Sequence, residues 1–191
     1  MTELRLFIAL DFSKSMHKKI VAAQSELKTH FPQSCLRWVP EEKIHITQKF
    51  LGNISSDCML DLEKALHTAA SLSSICSAKI SSLGAFPSLK KPNNIWIGVQ
   101  PDQALLELYE RLEESLESIK IPSEKRAFSP HITLARISQN ATQPERMAIS
   151  KKLQQIDIDE LGTDKFSHLL LYKSEMHHGI YVYTILKSEA L

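Results

Sequence analysis

The tripeptide His-Ile-Thr occurs twice in this chain, as His45-Ile46-Thr47 and as His131-Ile132-Thr133, each inside an apolar run that favours extended structure. Residues two apart on a β-strand share a face. Each copy therefore sets an imidazole beside a hydroxyl and sends its isoleucine to the other side. Chance placement predicts roughly 0.3 His-x-Thr pairs in a chain of this length with this many His and Thr, so two carry information. Their flanks match as well: Lys43 to Gly52 and Phe128 to Arg136 are both β-favouring segments bounded by turn or breaker residues.

Composition narrows what such a pair can serve. With 191 residues, 43% hydrophobic and 24% charged, the chain can bury a substantial core as one domain or as two small lobes. Lys and Arg exceed Asp and Glu by only one, which excludes a general nucleic-acid coat and means that any RNA is held locally. Cys35, Cys58 and Cys76 are odd in number and lack C-x-x-C spacing, which argues against a disulfide framework and a zinc ribbon and for a reducing, cytoplasmic compartment. No apolar run approaches the roughly 20 residues of a membrane-spanning helix, so no membrane partner is expected. The opening residues, Met1 to Asp11, read as a first strand and not as a signal peptide.

Strands then alternate with helices. Ser13 caps a helix with Met16, Ile20, Ala23 and Leu27 on one face, ending near His30 before Pro32. An extended segment at Leu36 to Val39 leads into the first motif strand. Ser55 or Ser56 caps a second helix carrying Met59, Leu62, Leu66 and Ala69. A strand pair, Ala78 to Phe86 and Asn94 to Val99, encloses the turn-forming stretch Pro87 to Pro92. Pro101-Asp102 opens a third helix bearing Leu105, Leu108, Leu112, Leu116 and Ile119, with Pro101 at its start. After the second motif strand come a short helix near Pro144 to Gln155 and an antiparallel pair, Phe166 to Tyr172 with Ile180 to Leu186. The order β-α-β-β-α-β-β-α-β-α-β-β places the two His strands 86 residues apart, which suggests two similar lobes that each give one motif strand to a shared cleft.

Two facing imidazoles have a clear chemical use. Histidine titrates near pH 6.5, so close to neutrality one ring accepts a proton while the other donates one. Hydrolysis of a cyclic phosphodiester needs that pairing, one His for the attacking water and one for the departing ribose oxygen. The Thr hydroxyls can hold the non-bridging phosphate oxygens, and no metal is required.

The motif flanks extend the comparison. The paired His-x-Thr strands, Arg5-Leu6-Phe7-Ile8-Ala9-Leu10-Asp11, Arg37-Trp38-Val39, Trp96-Ile97-Gly98-Val99, Pro130-His131-Ile132-Thr133-Leu134-Ala135-Arg136 and Leu171-Tyr172-Lys173-Ser174 with Tyr183 resemble the bacterial RNA 2′,3′-cyclic phosphodiesterases. These are also called 2′-5′ RNA ligases and belong to the two-histidine phosphoesterases. The resemblance spans nearly the whole chain. It implies an α+β bilobal fold over residues 1–191, with two antiparallel sheets flanked by helices and related by pseudo-twofold lobes around a central cleft. It implies a monomer that hydrolyses RNA 2′,3′-cyclic phosphate ends to 2′-phosphate ends without a cofactor, and in some members a reversible 2′-5′ joining. Carried over, it makes His131 the general base for water and His45 the general acid for the ribose 3′ oxygen. Thr47 and Thr133 would bind the phosphate, and Arg136 would add a positive charge.

Two positions depart from simple expectation. An apolar residue is usual after the first Thr, where this chain has Gln48; a wet face or a local hydrogen-bond partner would accommodate it. Strict alternation also sends Arg136 away from the His131 face, so a phosphate contact there requires a bulge.

Other residues have plainer readings. Lys43, Lys49, Lys90, Lys91, Lys125 and Arg126 could rim an RNA site, although scattered surface charge is the commoner explanation. Phe7, Trp38 and Trp96 could stack a base, although buried aromatics are commoner. His177-His178 before Gly179 reads as a polar hairpin turn, and His17, His30 and His67 receive no role. A metal-dependent phosphodiesterase would require converging Asp, Glu and His ligands. A non-catalytic RNA-end binder, or an enzyme of another cyclic or 2′-5′ phosphodiester, remains as the alternative.

Overall fold

The computed structural model describes residues 2–31 and 33–191 and, of Gln33, the backbone alone; Met1 and Pro32, the latter expected just past the first helix, lie outside the described residues. The elements are β1 (Glu3–Leu10), α1 (Lys14–Thr29), β2 (Leu36–Trp38), β3 (Ile46–Ser55), α2 (Met59–Ser71), β4 (Cys76–Ser88), β5 (Lys91–Pro101), α3 (Gln103–Ser118), β6 (His131–Ile137), α4 (Gln143–Leu153), β7 (Gly162–Phe166), β8 (His168–His177) and β9 (Ile180–Ala190).

Side-chain caps set the helix starts. Ser13 accepts from the Met16 amide at 3.2 Å, as its place before the α1 periodicity predicts. Asp102, not Pro101, caps α3 by accepting from Leu105 N at 2.8 Å, and Pro101 closes β5 instead. Ser55 caps a single 3-10 turn over Ser56–Cys58, so α2 begins only at Met59. Thr142 and Glu145 form a reciprocal capping box on α4. The buried face of α1 is Met16, Ile20, Gln24 and Leu27, with the polar Gln24 where Ala23 was expected.

Two antiparallel sheets carry the architecture. One has the order β3-β1-β8-β9, and the other β2-β6-β5-β4-β7. Strand β7 is absent from the sequence-based expectation because Gly162-Thr163-Asp164-Lys165-Phe166 is short and mostly polar; it adds an edge to β4, with Cys76 opposite Phe166. Phe166 accordingly ends β7, and β8 starts at His168. The β8–β9 connection is the two-residue turn His178-Gly179, both at positive φ (49° and 82°), the primed geometry that suits a hairpin's twist.

The buried core joins the inner faces of both sheets to the helices, with Ile8, Ile46, Ile95, Ile97, Ile132 and Leu134 meeting Ile20, Leu62, Leu66, Leu108 and Leu112. Burying each such side chain favours folding by about 1.5–3 kcal/mol. The two motif isoleucines, Ile46 and Ile132, are fully buried, so each commits its His and Thr to the opposite face. There a smaller cluster of Phe7, Ala9, Leu170 and Tyr172 floors the cleft. Among the described residues no helix is long and apolar enough to cross a membrane.

Candidate active site

Strands β3 and β6 approach each other from opposite sheets, and both carry the same irregularity one residue past the Thr. On β3 the partners step from Ala9↔Thr47 to Ile8↔Lys49, leaving Gln48 unpaired. On β6 they step from Trp96↔Thr133 to Ile95↔Ala135, leaving Leu134 unpaired. Each bulge buries two consecutive residues, Gln48 with Lys49 and Leu134 with Ala135. It thereby shifts the alternation by one. Arg136 consequently returns to the face of His131 and Thr133, which meets the condition that strict alternation had placed on it. The corresponding residue on β3 is Phe50, 69% exposed.

The two imidazoles are held alike. His45 Nδ1 lies 2.7 Å from the carbonyl of Lys43, and His131 Nδ1 lies 2.8 Å from the carbonyl of Ser129. A carbonyl only accepts, so each Nδ1 carries the proton and each Nε2 is left for chemistry. Neither anchoring residue belongs to a strand. His45 follows a 3-10 turn over Glu41–Lys43, held by His17 Nε2 donating to the Glu41 carbonyl at 2.9 Å. His131 opens β6 after the irregular Phe128-Ser129-Pro130. Both motif strands thus start three residues later than the sequence pattern suggests. Thr47 Oγ1 stands 3.1 Å from His45 Nε2.

Aromatic rings support both imidazoles from below. Phe7 lies 5.0 Å from His45 and stacks on Tyr172 at 5.0 Å, while the Tyr172 hydroxyl donates to Asp11 at 2.6 Å. On the other side Phe86 meets His131 edge-on at 4.8 Å, with Trp96 at 6.1 Å. The Trp96 ring covers Gly84 so closely that a Cβ there would fall 2.1 Å from it. Phe7 is buried and belongs to the cleft floor, and Trp96 is half-buried beside the site. Trp38 sits apart, against Phe31 and Lys28.

Burial lowers the pKa of both histidines. For His45 desolvation is opposed by the Lys43 carbonyl and the Asp11 carboxylate and reinforced by His131 and Arg136; for His131 it is opposed by the Ser129 carbonyl. Two small cavities share Tyr183 as a wall. One, of about 120 Å³, is lined by Asp11, Lys43, His45 and Tyr172; the other, of about 170 Å³, by Arg5, Phe50, Arg136 and Tyr181.

The remaining candidates disperse. Lys49 is no rim residue: the β3 bulge buries it against Glu113, 2.6 Å away. Arg126 pairs with Glu124, and His67 meets Glu189. His177 and His178 end in the hairpin turn. Among the described residues no group of three His, Cys, Asp or Glu is placed to hold a metal ion. Gln48 is buried, and among the described residues neither its amide nitrogen nor its oxygen finds a partner. Asp11 and Phe86 were not anticipated as neighbours of the site; only the position of Asp11 directly after the first strand offered a signal.

The model of the LigT-like phosphoesterases matches the chain twice in succession, at residues 10–96 and 97–181, so each match contains one His-x-Thr strand. The chain belongs to the LigT-like phosphoesterase family. An RNA 2′,3′-cyclic phosphodiesterase of Methanocaldococcus jannaschii is 27% identical over 96% of this LigT-like chain and 99% of its own, and one of Aquifex aeolicus is 25% identical over 98% and 97%. The crystal structure of E. coli LigT complexed with 3′-AMP superimposes with a TM-score of 0.75 at 26% identity, covering 100% of this chain and 99% of that one. A Thermus thermophilus structure reaches 0.80 at 25% identity, covering 98% of both.

Proposed function

We propose that this LigT-like phosphoesterase hydrolyses RNA 2′,3′-cyclic phosphate ends to 2′-phosphate ends by general acid and base catalysis between His45 and His131, without a metal. The observation that carries the reading is the matched pinning of both Nδ1 atoms, which leaves two Nε2 atoms for one cleft. His131 takes a proton from water as the water oxygen bonds to phosphorus. The bond from phosphorus to O3′ breaks, and His45 protonates that oxygen, giving a 3′-hydroxyl and a 2′-phosphomonoester. Asp11 favours a protonated His45, whereas the groups that shift His131 include no carboxylate; this supports His45 as the acid. Thr47 and Thr133 donate to the non-bridging oxygens, and Arg136 offsets the charge that grows on them.

A 5′-hydroxyl in place of water would give a 2′-5′ linkage through the same proton transfers. The chain supplies both halves of the site, which supports action as a monomer, and its three free thiols suit the cytoplasm. The test is incubation with a 2′,3′-cyclic-phosphate-ended oligoribonucleotide in excess chelator, followed by analysis of the terminal phosphate. A 2′-phosphate is the expected product. A requirement for added metal, or binding without turnover, would overturn the reading.

A further inference from the structure

A cavity of about 900 Å³ lies away from the two histidines, between α4 and the tip of the β4–β5 hairpin. Its wall carries Lys90, Lys91, Arg146 and Lys151, and no acidic side chain lines it. The whole chain balances 23 basic against 22 acidic residues, so four cations without an anion in one groove are a local departure. Among the described residues Lys90, Lys91 and Lys151 form no ion pair, and all three are exposed. Arg146 is built in: its guanidinium donates to the carbonyls of Ala141 and Ser138 and reaches Asn93.

The groove is linked to the catalytic strand at two points. Ser138 directly follows β6, the strand that holds His131, Thr133 and Arg136, and Asn94, next to Asn93, pairs with Arg136. The hairpin also runs from Phe86, in contact with His131, to Lys90 in four residues. Ser150 on α4 fastens the tip by donating to the carbonyls of Leu89 and Lys90.

We propose that this groove binds the phosphate backbone of RNA upstream of the cyclic end whose phosphate sits between His45 and His131, an inference that rests on the function proposed above. From His131 to Ser138 is about 20 Å of strand, at roughly 3.3 Å for each step other than the bulged Leu134. At about 3.4 Å per stacked nucleotide, that distance corresponds to about six nucleotides. A cyclic mononucleotide does not reach the groove, and an RNA of about ten or more nucleotides does. The catalytic cleft then sets the reaction, and the groove sets a preference for RNA length.

The experiment compares 2′,3′-cyclic AMP with an oligoribonucleotide of about 12 nucleotides bearing a 2′,3′-cyclic phosphate, at 50 and 200 mM salt. The variant is Lys90→Glu with Lys91→Glu and Lys151→Glu; a control of equal charge change carries Lys14→Glu, Lys18→Glu and Lys64→Glu. The groove variant is expected to lose at least tenfold in kcat/KM on the oligonucleotide and less than twofold on the mononucleotide. Its salt slope on the oligonucleotide should be shallower by about two, at roughly 0.7 for each phosphate of a single strand that is no longer neutralised. Equal losses on both substrates, no loss on either, or the same loss in the control would overturn the proposal. If the wild-type protein turns over neither substrate, the reaction is wrong, and the groove is judged by the anisotropy of a labelled 2′-phosphorylated oligonucleotide of that length. Binding at least tenfold weaker in the groove variant than in the control then supports the groove, and equal binding refutes it.

Discussion

The side-chain amide of Gln24 on α1 donates to the carbonyl of Leu134, the bulged residue of β6, at 3.1 Å, and also to Val39 O at 2.8 Å. The Val39 amide meets the same Leu134 carbonyl at 2.8 Å. A fully buried helix side chain thus holds the irregularity that turns Arg136 into the cleft. Replacing Gln24 by Leu should cost about 1–3 kcal/mol of stability, since the Val39 carbonyl loses its donor while the Leu134 carbonyl keeps the Val39 amide. It should also lower kcat on a cyclic phosphate substrate by loosening Arg136. Chemical denaturation and steady-state kinetics on the same variant check both; unchanged kinetics would show that the bulge holds without Gln24.

His45→Ala and His131→Ala should each reduce kcat at least about 100-fold, the usual scale of one general acid or base. Both rings lie on the cleft face, so the folded state should survive, as circular dichroism would show. Near-normal turnover by either variant rules out the proposed pair.

The pH dependence follows from the direction of both shifts. Because His45 and His131 are lowered from 6.5 by burial, the free enzyme holds one ring protonated and the other neutral only on the acid side of that value. The bell-shaped kcat/KM profile should therefore peak below about pH 6.5, with apparent values that belong to the coupled pair. The same shifts act on stability. The unfolded chain binds more protons than the native one below about pH 6.5, so the contribution of both rings is intact above that value and is lost as pH falls through the folded values. A rate maximum on the alkaline side of neutrality, or thermal stability that rises on acidification through this window, would contradict the assignment.

Lys49 and Glu113 form a buried pair at 2.6 Å, with Lys49 also donating to Pro122 O and Glu113 accepting from Glu124 N. The pair ties the β3 bulge to the loop that leads into His131. Lys49→Met alone should destabilise the fold by about 3–5 kcal/mol because it strands a buried carboxylate. Adding Glu113→Leu should restore most of that loss. If the double variant is no better than the single, the pair is not the source of the cost.

Gln48 offers the opposite case. Its amide is buried without a partner among the described residues, and Leu134 occupies the matching bulge on β6. Gln48→Leu should therefore leave activity intact and raise stability by about 1–3 kcal/mol, the desolvation penalty of an unmade hydrogen bond. A fall in the denaturation midpoint would reveal a partner for that amide.

Period and punctuation made most elements legible. The α1 and α3 faces, the Ser13 cap and the hairpin at His178-Gly179 follow from local sequence, because the forces that create them act over a few residues. The site was legible as far as one strand carries information. His45, Thr47, His131 and Thr133 share a face by alternation, and the need for a bulge before Arg136 could be stated although its partner residues could not. What escaped was non-local. Strand β7 is polar and exists through its pairing with β4. The burial of Lys49 depends on Glu113, 64 residues away, and the burial of Gln24 on the carbonyls of Val39 and Leu134. The sequence leaves Gln48 with two plausible surroundings, and among the described residues the fold supplies it with neither a wet face nor a hydrogen-bond partner.

The paired bulges give each motif strand one residue more than its pleat requires. A regular strand would carry a cation on the histidine's face at an even spacing, whereas Arg136 stands at an odd spacing from His131 and depends on the bulge to face the substrate. Deleting Leu134 would straighten β6 and leave Arg136 in the cleft, and deleting Gln48 would leave Phe50 exposed in the same way. Inserting a residue beside either one would also make the spacing even, so a regular strand again keeps Arg136 on the histidine's face, one pleat period farther along. Shortening and lengthening these strands by one residue therefore preserve the same face and differ in how far along the cleft they place the cation. Homologues whose second motif strand lacks the bulge should accordingly place their phosphate cation at an even spacing from the histidine.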